Sequence, residues 1–178
     1  MSDKSLSEAA RNFLQQNLLR NPPLRNSIEL PDSHNIERIR RETREGYRVA
    51  FESSRRQYTS SDQDISVGGV PCLEINPRYR DQNRGNVVIF YLFGGGYIMG
   101  SPEEDLPISA FVANGLGVRT VCPYYRLSPE HVYPAAFNDV FAVYVALTRE
   151  YGHGQILVVG ESAGGYLSSP ADPACCLC

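Results

Sequence analysis

Three short runs constrain this chain most: Val87–Phe93 (VVIFYLF), Val118–Cys122 and Gln155–Val159 (QILVV). Each has the length of a strand. The first has no polar residue at alternate positions, so it predicts a strand buried on both sheet faces. Helical periodicity fills the gaps, over about 105–116 and about 135–150, where Ala136, Val140, Val143 and Leu147 share one face. Strand, helix, strand, helix, strand predicts an α/β fold, a mostly parallel sheet with right-handed crossover helices. Upstream, Asp64–Val70 and Cys72–Ile75 flank Gly68-Gly69 and predict a hairpin.

The rest of the chain reads differently. Residues 5–20 predict an amphipathic helix: Ser5 and Glu8 have capping-box spacing, and Pro22-Pro23 ends it. A second helix is expected over 34–58, where Arg38, Arg40, Arg41, Arg44 and Arg48 alternate with Glu37, Glu42 and Glu45. That alternation is expected to be a solvated face laced with ion pairs rather than a basic binding surface. With 178 residues and a net charge of −3, the chain lacks the basic footprint of a nucleic-acid binder. No run approaches the length of a membrane span, and the N-terminus has no apolar signal core. Two scattered internal cysteines do not make a disulfide framework, so a cytoplasmic location is the expectation.

Two stretches carry chemistry. Gly160-Glu161-Ser162-Ala163-Gly164 spells G-x-S-x-G directly after a predicted buried strand. A serine at such a strand-to-helix turn adopts a strained conformation, and small flanking residues let neighbouring chain approach it. The second is Phe93-Gly94-Gly95-Gly96-Tyr97, at the end of the strand 87–93. A dinucleotide fingerprint starting at Gly94 would need glycine where Met99 stands. A phosphate loop starting at Gly95 would need Lys and Ser/Thr where Ser101-Pro102 stand. An oxyanion loop, or a plain tight turn, remains. No H-E-x-x-H or paired C-x-x-C predicts a metal site.

With these blocks in order, the chain resembles the hormone-sensitive-lipase-like branch of the α/β-hydrolase fold, the fold-3 esterase/lipase group. The likeness rests on Phe93–Tyr97 with Gly100-Ser101, on Tyr125–His131 with Tyr133–Ala136, and on Gly160–Gly165, within residues 64–167. It implies a cofactor-free carboxylic-ester hydrolase acting on a small-molecule acyl ester. Ser162 would be the nucleophile, and the amides of Gly94, Gly95 and Ala163 the oxyanion hole. Arg126 and Glu130 would be structural ion-pair partners near the site, and residues 1–60 would form a helical cap segment.

The sequence departs from that family at two places. Phe93 stands where the family writes histidine, which removes a polar side chain that helps hold the loop. The fold's triad runs Ser, then acid, then His. Here His34, His131 and His153 all precede Ser162, and the acid that follows it is Asp172. Residues 168–178, ending Cys175-Cys176-Leu177-Cys178, read as an aberrant tail foreign to the domain. The expectation is therefore the N-terminal part of an esterase, an inactive fragment whose last strand has an open apolar edge. The rival readings are a non-catalytic ligand-binding or regulatory module and, from the tail's C-x-C, a lipid-anchored chain. Oligomeric state is open.

Overall fold

The computed structural model describes residues 34–168. The helix expected over 5–20 and the tail after residue 168 lie outside them.

The first element is the arginine-rich helix α1 (Ile36–Tyr58), whose buried residues are Ile36 and Phe51. It runs directly into a hairpin, β1 (Thr59–Val67) and β2 (Val70–Pro77), closed by the Gly68-Gly69 turn. Both strands are longer than the alternation predicted. β1 is an edge strand that alternates poorly because only its backbone has to pair; most of its side chains face water.

Next come β3 (Val88–Leu92), α2 (Leu106–Leu116), β4 (Thr120–Pro123), α3 (Ala135–Tyr151), β5 (Ile156–Gly160) and the short α4 (Ser162–Leu167). The sheet order is β1-β2-β4-β3-β5. β2 pairs antiparallel with both β1 and β4, whereas β3 pairs parallel with β4 and with β5. The chain therefore steps from β3 to β4 in one direction and returns past β3 to reach β5. Right-handed crossovers going opposite ways put α2 and α3 on opposite faces of the sheet.

That layering explains the apolar run: all five residues of β3 are buried, because helices cover both of its faces. α3 turns Val140, Val143 and Leu147 inward, as its periodicity predicts. α2 stops at Gly117, in the left-handed region at φ 68°, so β4 begins later than the run at Val118 suggests. β5 is the exception. Among the described residues it pairs with β3 alone, and its Leu157 is 43% exposed. The reversal of direction also locates a site: in open α/β sheets, crevices form beyond the carboxyl ends of strands where the order reverses. Here those strands are β3 and β5.

Candidate active site

Leu92 is paired with Gly160, so β3 and β5 end side by side. The Phe93–Gly100 loop and the Gly160–Gly164 elbow leave from these paired ends. Residues 68 positions apart in sequence are thereby brought to one place by a single ladder.

The elbow is built by close packing of backbone. Ser162 sits at φ 48°, a conformation that costs a non-glycine residue of order 1 kcal/mol or more. A Cβ on Gly160 would lie 2.4 Å from the Gly164 carbonyl, and one on Gly164 would lie 2.0 Å from the Leu92 oxygen. Only glycine permits that approach at either position. The N–H groups of Gly164 and Gly165 both go to the Glu161 carbonyl, at 2.8 and 3.2 Å.

The neighbouring loop is built by side chains. Phe93 is buried and stacks on Tyr125, with ring centroids 4.0 Å apart and planes 5° from parallel. The Tyr125 hydroxyl donates to the Phe93 carbonyl at 2.7 Å. Phe93 thus compensates by stacking for the polar side chain expected at its position. Gly95, at φ 112°, closes a turn in which its carbonyl accepts the N–H groups of Ile98 and Met99, at 3.1 and 2.9 Å. The Tyr97 hydroxyl donates to the Ala163 carbonyl at 3.1 Å, joining loop to elbow.

One expected donor is differently employed. The Gly94 N–H points to the Asp105 carboxylate at 3.3 Å, and the Tyr91 hydroxyl donates to the same oxygen at 3.1 Å. The Glu161 carboxylate fills the space beside Gly94: a Cβ there would lie 1.6 Å from Oε2, so a side chain at 94 would displace it. Burial pushes the Asp105 carboxyl up, and the nearby Glu161 adds to that; the bonds from Gly94 and Tyr91 oppose the rise. By contrast, no hydrogen bond among the described residues engages the N–H of Gly95, Gly96 or Ala163. Gly96 was legible as the third of three glycines, but nothing in their spelling tells which amides face inward.

The middle block braces the loop. The Ser128 N–H donates to the Tyr97 carbonyl at 2.8 Å. Arg126 and Glu130 are ion-paired as expected, each to a residue outside the block. Arg126 grips Asp139 of α3 with contacts of 2.8 to 3.1 Å, and Glu130 meets Arg40 of α1 at 2.8 Å. Burial raises the Asp139 carboxyl, but the hydrogen bonds and charge of Arg126 outweigh it and leave the group below its usual range. Beside Tyr97 and α4 opens a cavity of about 430 Å³, walled chiefly by Tyr97, Tyr133, Phe137, Tyr166 and Leu167, with His131 on its lining.

His131 follows the Arg126–Glu130 segment and His153 packs near Tyr144 beyond the C-terminal end of α3; neither is hydrogen-bonded to Ser162. Among the described residues no cluster of His, Cys, Asp or Glu could hold a metal ion, and no helix is long and apolar enough to cross a membrane. Cys72 and Cys122 are buried free thiols.

Residues 89–171 match the alpha/beta hydrolase fold family. A hormone-sensitive lipase from a metagenome library superposes with a TM-score of 0.67 at 28% identity, over 88% of this chain and 48% of that one. The chain has the α/β-hydrolase fold. An acetyl-hydrolase of Streptomyces hygroscopicus is 30% identical to this chain over 60% of its residues and 35% of the relative's. The carboxylic ester hydrolase LipN of Mycobacterium tuberculosis is 34% identical over 60% and 30%, respectively. The structure of esterase E25 has a TM-score of 0.76 at 21% identity and supports the fold alone. The chain spans about a third of the length of these curated relatives and about half that of the solved structures.

Proposed function

We propose that this chain carries the nucleophile and the oxyanion donors of a carboxylic-ester hydrolase. The observation that carries the reading is Ser162 at φ 48°, beside a loop whose Gly95 and Gly96 amides make no hydrogen bond among the described residues. Ser162 Oγ attacks the ester carbonyl carbon and the carbonyl π pair moves onto oxygen. The N–H groups of Gly95, Gly96 and Ala163 meet that charge. Gly94, committed to Asp105, takes a supporting part instead. Collapse expels the alcohol with a proton and leaves an acyl-serine, which water then cleaves. The substrate is a small-molecule acyl ester with an apolar portion fitting the aromatic cavity beside Tyr97. Residues 1–60 are assigned to a cap segment, and residues 64–167 to the hydrolase portion.

The Ser162 proton needs an acceptor, and neither His131 nor His153 is bonded to it. Among the described residues the nucleophile has no base bonded to it, so slow turnover by this chain alone is the expectation. That same observation favours the second reading, a binding module that uses the cleft without chemistry.

The test is mass spectrometry after incubation with an aryl fluorophosphonate, beside an assay on a short-chain nitrophenyl ester. The expected result is an adduct on the Ser162 peptide, absent from Ser162→Ala, with turnover lower than a complete triad gives by about 10⁶-fold. A folded protein that never forms the adduct supports the binding module. Fast turnover lost in His131→Ala would overturn the missing base.

A further inference from the structure

The arginine run of α1 looked like a solvated face, and most of it is. Arg38 pairs with Glu42 and Arg48 with Glu45 and Glu52, all within the helix, while Arg44 reaches Glu104 with its side chain 58% exposed. Arg40 differs. Its side chain is 21% exposed, and its guanidinium makes four hydrogen bonds to groups 58 to 90 residues away. Nε donates to the Ile98 carbonyl at 2.8 Å. One terminal nitrogen donates to the Ser128 carbonyl at 2.7 Å and to Glu130 at 3.0 Å, and the other to Glu130 at 2.8 Å.

These acceptors belong to two segments already joined to each other, since Ser128 donates to Tyr97. Ile98 lies in the turn closed by the Gly95 carbonyl. A guanidinium has a planar fork of donors that can hold two carbonyls and a carboxylate at once; an ammonium cannot match that geometry.

We infer that Arg40 is a positioning residue for the oxyanion loop, fixing the Gly95–Met99 turn to α1 and to the Ser128–Glu130 segment so that the Gly95 and Gly96 amides keep their aim. This rests on the ester-hydrolase reading for its chemical consequence, but not for its structural one. Arg40 touches no reacting atom. Its loss acts through the loop: a small misplacement of groups that meet the transition state can lower a rate by about 10²-fold.

The experiment compares the full chain with Arg40→Ala, Arg40→Lys and Arg44→Ala. Amide hydrogen exchange is followed on peptides covering 94–100 and 88–92. The labelling rate of Ser162 by an aryl fluorophosphonate is followed against reagent concentration. Arg40→Ala is expected to speed exchange in 94–100 while 88–92 keeps its protection. It should lower the maximal labelling rate roughly 10- to 100-fold at an unchanged half-saturating concentration. Arg40→Lys recovers part of both, and Arg44→Ala behaves as wild type.

The assignment is overturned if Arg40→Ala matches wild type in both readouts, or if Arg44→Ala reproduces its effects. Should Arg40→Ala unfold, which exchange at 88–92 reports, the lysine variant decides: a selective loss at 94–100 sustains the assignment and wild-type behaviour overturns it. If wild-type Ser162 takes no label, the ester-hydrolase reading fails on its own, and exchange at 94–100 still decides the role of Arg40.

Discussion

The elbow and the loop beside it are both rich in glycine and leave the sheet from paired strand ends, yet they are held by different physics. Residues 160–165 keep their shape because backbone is packed on backbone: a Cβ on Gly160 or Gly164 would meet carbonyl atoms at 2.4 Å or less. Residues 93–100 keep theirs through side chains sent from elsewhere, with Tyr125 on the Phe93 carbonyl, Asp105 on the Gly94 amide and Arg40 on the Ile98 carbonyl. The lesson concerns failure. A structure held by exclusion should break at a single added carbon, whereas one held by several tethers should loosen by degrees.

The largest expected effect is at the elbow. Gly164→Ala puts a methyl 2.0 Å from the Leu92 oxygen, where rigid sheet backbone cannot give way. It should cost about 3 kcal/mol or more in urea unfolding. Gly165→Ala has its nearest neighbour at 3.3 Å and should change stability far less. Equal melts for the two would remove the idea that the elbow is held by exclusion.

A smaller effect is expected from the loop's tethers. Tyr125→Phe keeps the stack on Phe93 and loses one hydrogen bond to a buried carbonyl, so it should cost about 1–2 kcal/mol. Melting should remain a single transition. If this substitution abolished folding, the loop would not be held by separable tethers.

The smallest effect is in pH dependence, where two aspartates differ in sign. Asp139, in the block that braces the loop, has its carboxyl lowered in the native state, so its contribution is present above the unfolded value near 3.9 and lost on acidification below it. Asp105, under the loop, has its carboxyl raised by burial. Folding favours its protonated form, so that contribution is full below about pH 3.9 and is lost as pH rises through the higher native value. Urea titrations of Asp139→Asn and Asp105→Asn against wild type between about pH 3 and pH 8 test this. The wild-type advantage over Asp139→Asn should shrink on acidification, and the stability of Asp105→Asn relative to wild type should rise with pH. Parallel curves would dismiss the opposition.

The same contrast decides what could be read in advance. β3 was legible because a strand covered on both faces has to be apolar throughout, and the elbow because its steric demand leaves glycines at fixed spacing. The hairpin announced itself at Gly68-Gly69. The tethers left no such trace. Arg40 is spelled like its neighbours on α1, and its acceptors are backbone carbonyls that any residue supplies. Asp105 and Tyr125 reach the loop only after β4 and α2 have packed, so no local pattern marks them. Gly94 is spelled like its two neighbours, and nothing in that spelling tells that its amide goes to Asp105. Phe93 was legible as a departure, while its compensation lay 32 residues away in Tyr125.

The pairing of Leu92 with Gly160 has a consequence for how such a chain can change length. One residue inserted within Val88–Leu92 would advance the glycine loop by about 3.3 Å relative to Ser162 and turn every following side chain to the opposite face of the sheet. A bulge could absorb the extra residue only by breaking the ladder that aligns the two loops. Insertions and deletions should therefore be tolerated in the segments that travel away from these strand ends, such as the Arg78–Asn86 connection, and rejected in the strands themselves. The distance between Ser162 and the glycine loop is, in that sense, counted in whole rungs.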